Sequence, residues 1–151
     1  MVMAKKVESF QIDHLNMPAP QVRHAGTQTG PKGDVISKFD LRFLKPNSDA
    51  IPTGATHTLE HLLATYMRER LAGIIDLSPM GCRTGFYLTV WGDVGSETIK
   101  DALLYSLKRV VETEWDEVPG TTAIECGNYR DHSLFGAKEY AKQVIEGFEK
   151  K

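Results

Sequence analysis

Residues 56 to 71 carry two unlike surfaces on one helical stretch, and this limits how the rest of the chain can be arranged. Leu59, Leu62, Leu63, Tyr66 and Met67 recur at three- and four-residue spacing, which writes one apolar helix face that has to be buried. His57, Glu60 and His61 fall on the opposite face. At ~100° per residue the two imidazoles stand about 40° apart and the carboxylate about 60° to the other side of His57. The breaker Pro52-Thr53-Gly54 leads into this helix, which is predicted to start near Thr56, run to about Leu71 and stop near Gly73, a C-terminal glycine. With the apolar face turned to the core, the polar face completed by Ala64 and Arg68 looks outward and needs cover from elsewhere.

That polar face spells HxxEH, the inverse of the HExxH metallopeptidase pattern. Histidines four apart on a helix sit one turn above each other, so both reach one ion, and the glutamate is placed as an acid or base beside it. A catalytic divalent site takes three protein ligands and keeps one position open. The third ligand has several candidates: Cys82, Cys126, His14, His24, His132 or a carboxylate. A thiolate in the set favours zinc or ferrous iron over magnesium or calcium. Cys82 follows a glycine and precedes Arg83, whose charge would favour a thiolate if it folds back.

Other segments fill in the architecture. Residues 35–44 alternate as a half-buried strand, with Val35, Phe39, Leu41 and Phe43 on one side and Lys38, Asp40 and Arg42 pointing away from the core. Residues 78–85 read as a turn-rich loop and Phe86 to Val94 as a second strand, aromatic and β-branched. Ile99, Ala102, Leu103, Leu107 and Val110 mark a second helix, with Ser106 interrupting the stripe. Short strands are expected at Val7–Ile12 and Thr121–Cys126, and a last helix opens at Ser133 and carries Tyr140, Ala141, Val144, Ile145 and Phe148. Short connections and half-buried strands predict an α+β fold, an antiparallel β-sheet layered with α-helices on one face, with a parallel βαβ arrangement as the alternative.

A chain of 151 residues is expected to form a single domain over 1–151. Its net charge of -2 argues against a nucleic-acid partner, and no apolar run is long enough to span a membrane. The N-terminal residues lack the apolar core of a signal peptide, so a cytoplasmic protein with reduced cysteines is expected.

HTLEHLLA at 57–64, SPMGCRTGFY at 78–87 and ECGNYRDHSL at 125–134, together with VESFQIDH at 7–14 and ISKFDLRFLKPN at 36–47, resemble the LuxS family, the S-ribosylhomocysteine lyases. The resemblance implies a metal held by His57, His61 and Cys126, with Cys82 and Glu60 as the catalytic acid/base pair. It implies Fe²⁺, one per subunit, with Zn²⁺ or Co²⁺ as substitutes. It implies a homodimer with active sites at the subunit interface, where Ser9, His14 and Arg42 line the substrate pocket from the opposite subunit. Asp76 and the loop before Cys82 would then lie on the metal-bearing side.

The implied substrate is S-ribosylhomocysteine, and the products are homocysteine and 4,5-dihydroxy-2,3-pentanedione, the precursor of the quorum-sensing signal autoinducer-2. The implied roles are therefore methyl recycling and signalling. Two other readings of the same residues differ in what they require. An HxxEH peptidase needs a downstream carboxylate ligand, for which Glu112 and Glu114 are the candidates, and a structural zinc staple needs both cysteines on one ion.

Overall fold

The computed structural model describes residues 6–151. Four strands, β1 (Gln21–Thr29), β2 (Val35–Arg42), β3 (Ile74–Pro79) and β4 (Gly85–Trp91), form one sheet in the order β1-β2-β4-β3. Every pairing is antiparallel, which sets aside the parallel alternative. Three helices, α1 (Thr53–Met67), α2 (Ser96–Glu112) and α3 (Leu134–Glu149), pack on one another and supply the other half of the core. None of the helices among the described residues is long and apolar enough to cross a membrane.

Alternation in β2 does what the pattern predicts. Phe39 and Leu41 turn to the helices and meet Leu88 and Phe86 across the strand pair, all four fully buried. From α1, Leu59, Leu62, Leu63 and Met67 close on that layer at zero exposure, each burial stabilising by ~1.5–3 kcal/mol. Ser106, which breaks the apolar stripe of α2, is buried with its hydroxyl donating to the Ala102 carbonyl at 2.8 Å, so the turn below it satisfies the polar atom.

Arg42 departs from its expected surroundings. It lies on the sheet face away from the helices, as the alternation requires, yet it is only 2% exposed. A guanidinium survives there because it is fully paired: its Nε and Nη2 donate to the two Asp40 carboxylate oxygens at 3.1 and 2.7 Å, and Nη1 donates to Thr84 Oγ1 at 2.8 Å.

Several boundaries also differ. Val7–Ile12 holds a short 3-10 turn at Glu8–Phe10 instead of a strand, and Thr121–Cys126 is a run of turns, with the Cys126 amide bonded to the Thr122 carbonyl. The helix α1 begins three residues earlier than Thr56 and ends at Met67, and Gly73 (φ 79) serves the start of β3 instead of the helix end. The segment read as a loop from Ser78 contains the end of β3, so the turn proper is short: the Met80 amide donates to the Gly85 carbonyl and the Arg83 amide to the Met80 carbonyl. At its close, a Cβ on Gly85 would lie 2.1 Å from the Leu41 carbonyl oxygen. Only glycine lets β4 start against β2 at that point, and the turn bearing Cys82 is fixed by it.

Candidate metal centre and thiol pocket

The helix α1 presents His57, Glu60 and His61 at its rim, and the chain itself covers that face. The segment after α2 crosses over it: His61 Nδ1 lies 2.8 Å from the Pro119 carbonyl oxygen and His57 Nδ1 2.8 Å from that of Asp131. The expected outward, uncovered face is therefore half-buried, roofed by residues 118–132 of the same chain. Gly120 (φ 70) makes the approach possible, since a Cβ there would sit 2.9 Å from the His61 ring.

A carbonyl oxygen only accepts, so Nδ1 of each ring is the protonated nitrogen and each Nε2 keeps its lone pair. Those lone pairs face a common point. His57 Nε2 is 3.3 Å from Cys126 Sγ, and one donor atom from each of His57, His61, Cys126 and His132 lies within 4.8 Å of the others. Thiolate with imidazoles is a set for a borderline divalent cation, not for magnesium or calcium. The residues thus fit a metal, and Cys126 is the cysteine that joins the histidines.

His132, one of several open candidates in the sequence, is the fourth member. Its ring stacks on His57 with centroids 3.9 Å apart, its Nδ1 is 2.9 Å from Thr58 Oγ1, and its Nε2 is buried without a hydrogen-bond partner among the described residues. Burial, then the charges of His57 and His61, push its pKa down to about 4. Glu60 stands beside the cluster, its carboxylate 3.7 Å from His61 Nε2.

Cys82 belongs to a second locus. Its Sγ is 3.0 Å from Thr84 Oγ1, and it lines a cavity of about 410 Å³ with His14, Arg42, Asp49 and Thr84. Burial raises the thiol's pKa, but hydrogen bonds from the Thr84 hydroxyl and backbone and the charge of Arg42 outweigh it and hold the thiol below its ordinary value. Arg83 does not supply that charge. Its Nη1 donates to the Ile51 carbonyl at 3.3 Å. Ser9 lies in the 3-10 turn next to Glu8, which pairs with Arg23 at 2.6 Å. Asp76 is exposed on β3, accepting a hydrogen bond from Ser78. One chain therefore brings Cys82, His14 and Arg42 together and gathers the metal donors separately. Thr84 and Asp40, the buried partners of this second group, escaped sequence reasoning because their roles depend on cross-strand register.

An S-ribosylhomocysteine lyase from Clostridioides difficile (strain 630) is 61% identical over 142 residues, covering 94% of this chain and 93% of that protein. One from Bifidobacterium longum subsp. infantis is 57% identical over 141 residues (93% and 86%), and one from Lactobacillus acidophilus 55% over 142 residues (93% and 90%). The S-Ribosylhomocysteinase (LuxS) family matches residues 7–151. This chain belongs to the LuxS family of S-ribosylhomocysteine lyases.

Proposed function

We propose that the protein cleaves S-ribosylhomocysteine to homocysteine and 4,5-dihydroxy-2,3-pentanedione. The observation that carries this reading is the convergence of His57, His61 and Cys126 beside Glu60, while the second cysteine stays out of the cluster with its thiol made acidic. A peptidase has no use for that second thiol, and a structural zinc staple would have drawn both cysteines to one ion.

His57, His61 and Cys126 would hold the cation, Fe²⁺ by preference with Zn²⁺ or Co²⁺ as substitutes, and it would supply Lewis acidity at the sugar carbonyl. Cys82, as a thiolate, takes the proton from C2 and returns it to C1, which moves the carbonyl one carbon along. The same exchange between C3 and C2 brings the carbonyl to C3. Removal of the C4 proton then breaks the C5–sulfur bond, the electron pair leaving on sulfur. Glu60 carries protons between the sugar oxygens and protonates the departing homocysteine thiolate.

The separation of the two loci within one chain supports a homodimer in which Cys82, Arg42, His14 and Ser9 of one subunit face the metal donors of the other. Phe10 and Leu15, 78% and 75% exposed, flank His14 and are suited to be covered by such a partner. In this reading Cys82 works from the side of Arg42. Asp76 remains a substrate-contact candidate at the exposed sheet edge.

The test is to incubate anaerobically metal-loaded protein with S-ribosylhomocysteine and titrate free thiol. Homocysteine release is expected, with Cys82→Ala and Glu60→Gln each reduced on the order of 10²-fold or more while metal is retained. Absence of thiol release from the loaded wild type would overturn the assignment.

A further inference from the structure

Behind Cys82 runs a buried polar chain whose last member has a fixed direction. Arg42 offers only protons, so Thr84 Oγ1 must accept from its Nη1 at 2.8 Å. A hydroxyl has one proton of its own, and the other partner of Thr84 Oγ1 is Cys82 Sγ at 3.0 Å. Arg42 cannot swing away, because Nε and Nη2 are both engaged by Asp40, and Asp40 in turn accepts from Arg23 Nε and Nη2 at 3.2 and 3.0 Å. Thr84 is 3% exposed, Arg42 2% and Asp40 fully buried, so water does not compete for these bonds.

We propose that Thr84 is the positioning residue for the proton chemistry of Cys82: Arg42 fixes its oxygen through one lone pair, and once Cys82 is a thiolate the free hydroxyl proton is the one that reaches the sulfur. A thiolate can only accept, so this O–H to sulfur bond gains strength when Cys82 ionises. The inference rests on the reading of Cys82 as the base that works on the sugar carbons. The other ionisable groups around the thiol are His14 and Asp49 in the same cavity, with Arg23 and Glu8 one step behind Asp40, and none of them stands between Thr84 and the sulfur in the hydrogen-bond chain. Lysine at 42 would offer a single point of donation and lose the fork that holds Asp40 and Thr84 together.

The test needs no substrate. In metal-loaded protein, the alkylation of Cys82 by iodoacetamide is followed against pH on the Cys82 peptide by mass spectrometry, which separates it from Cys126. Thr84→Ala and Thr84→Val are expected to raise the midpoint by about one pH unit or more, the worth of one hydrogen bond to a charged group. Thr84→Ser, which keeps the hydroxyl, is expected to titrate like the wild type. Midpoints in Thr84→Ala and Thr84→Val equal to that of the wild type, or a Thr84→Ser midpoint raised as far as the alanine's, would overturn the proposal. Failure of the lyase assignment itself would show elsewhere, as loaded wild-type protein that releases no thiol from S-ribosylhomocysteine.

Discussion

Replacing Asp40 with alanine is expected to be among the most damaging single changes available in the sheet, at about 3–5 kcal/mol of folding stability. The magnitude follows from who is left behind. Asp40 is fully buried and its two oxygens take Arg42 Nε and Nη2, at 3.1 and 2.7 Å, and Arg23 Nη2 at 3.0 Å. Arg42, 2% exposed, would keep only its bond to Thr84 and stand as a buried charge without a counter-charge. Arg23 loses less, since it is 20% exposed and retains Glu8 at 2.6 Å. Set against the ~5–15 kcal/mol that holds a domain of this kind together, the loss is severe, and the melting temperature should fall by roughly 2–4 °C per kcal/mol. Asp40→Asn keeps the shape but turns an amide NH₂ toward a guanidinium, so it should recover only part of the loss. The informative comparison is Asp40→Leu combined with Arg42→Met, in which neither charge is left behind, and it should cost much less than Asp40→Ala alone. Urea unfolding of the metal-loaded protein at one fixed protein concentration, read by tryptophan fluorescence, gives all four values. A loss below about 1 kcal/mol for Asp40→Ala, or a double variant no better than that single one, would refute the argument from the stranded guanidinium.

Cys126→Ala should lose tight metal binding whereas Cys82→Ala should keep it, checked by metal analysis after gel filtration against a weak chelator; equal retention by both would contradict the division into two loci. Gly120→Ala places a methyl 2.9 Å from the His61 ring at a φ of 70, so it should weaken metal binding on the order of 10-fold or more by displacing the ring from the carbonyl that orients it, measured by competition with a chromogenic chelator. In chelator-stripped protein His132 is held neutral down to about 4, while the unfolded ring takes its proton near 6.5; stability is then complete above pH 6.5 and drains as the pH falls toward 4, and His132→Phe should flatten that decline in urea midpoints. With Co²⁺ bound, His132→Phe is expected to leave the visible absorption bands unchanged, and a shifted band pattern would make His132 a ligand.

Short-range signals carried much of this. The HxxEH face, the apolar face behind it and the alternation of β2 are periodic, and periodicity is set by the backbone alone. The metal set needed more, because Cys126 reaches His57 through a run of turns whose path no period describes. Arg42 shows the limit most clearly. Its place on the outer sheet face was legible, but its burial depends on Asp40 beside it, on Arg23 from the neighbouring strand and on Thr84 from the turn before β4. The missed strands β1 and β3 have the same origin: β1 contains a glycine and a charged arginine and carries a bulge between His24 and Gly26, β3 ends on a proline, and both are edge strands where pairing tolerates such residues.

Keeping the two thiols apart has a chemical reason. A thiolate within reach of a thiophilic cation would coordinate it, and with His57, His61 and Cys126 already present it would complete a closed tetrahedral site with no place for a substrate oxygen. The fold avoids this by holding Cys82 from another direction, in the turn fixed by Gly85 and tied through Thr84 to Arg42. The same demand applies to His132. Thr58 Oγ1 accepts the Ser133 amide at 3.0 Å and meets His132 Nδ1 at 2.9 Å. When the Thr58 hydroxyl donates to Nδ1, Nε2 bears the ring's hydrogen and is a donor at the cluster instead of a ligand. With its proton on Nε2, His132 stays out of the metal set and leaves the fourth position open, the outcome that unchanged Co²⁺ bands in His132→Phe would show.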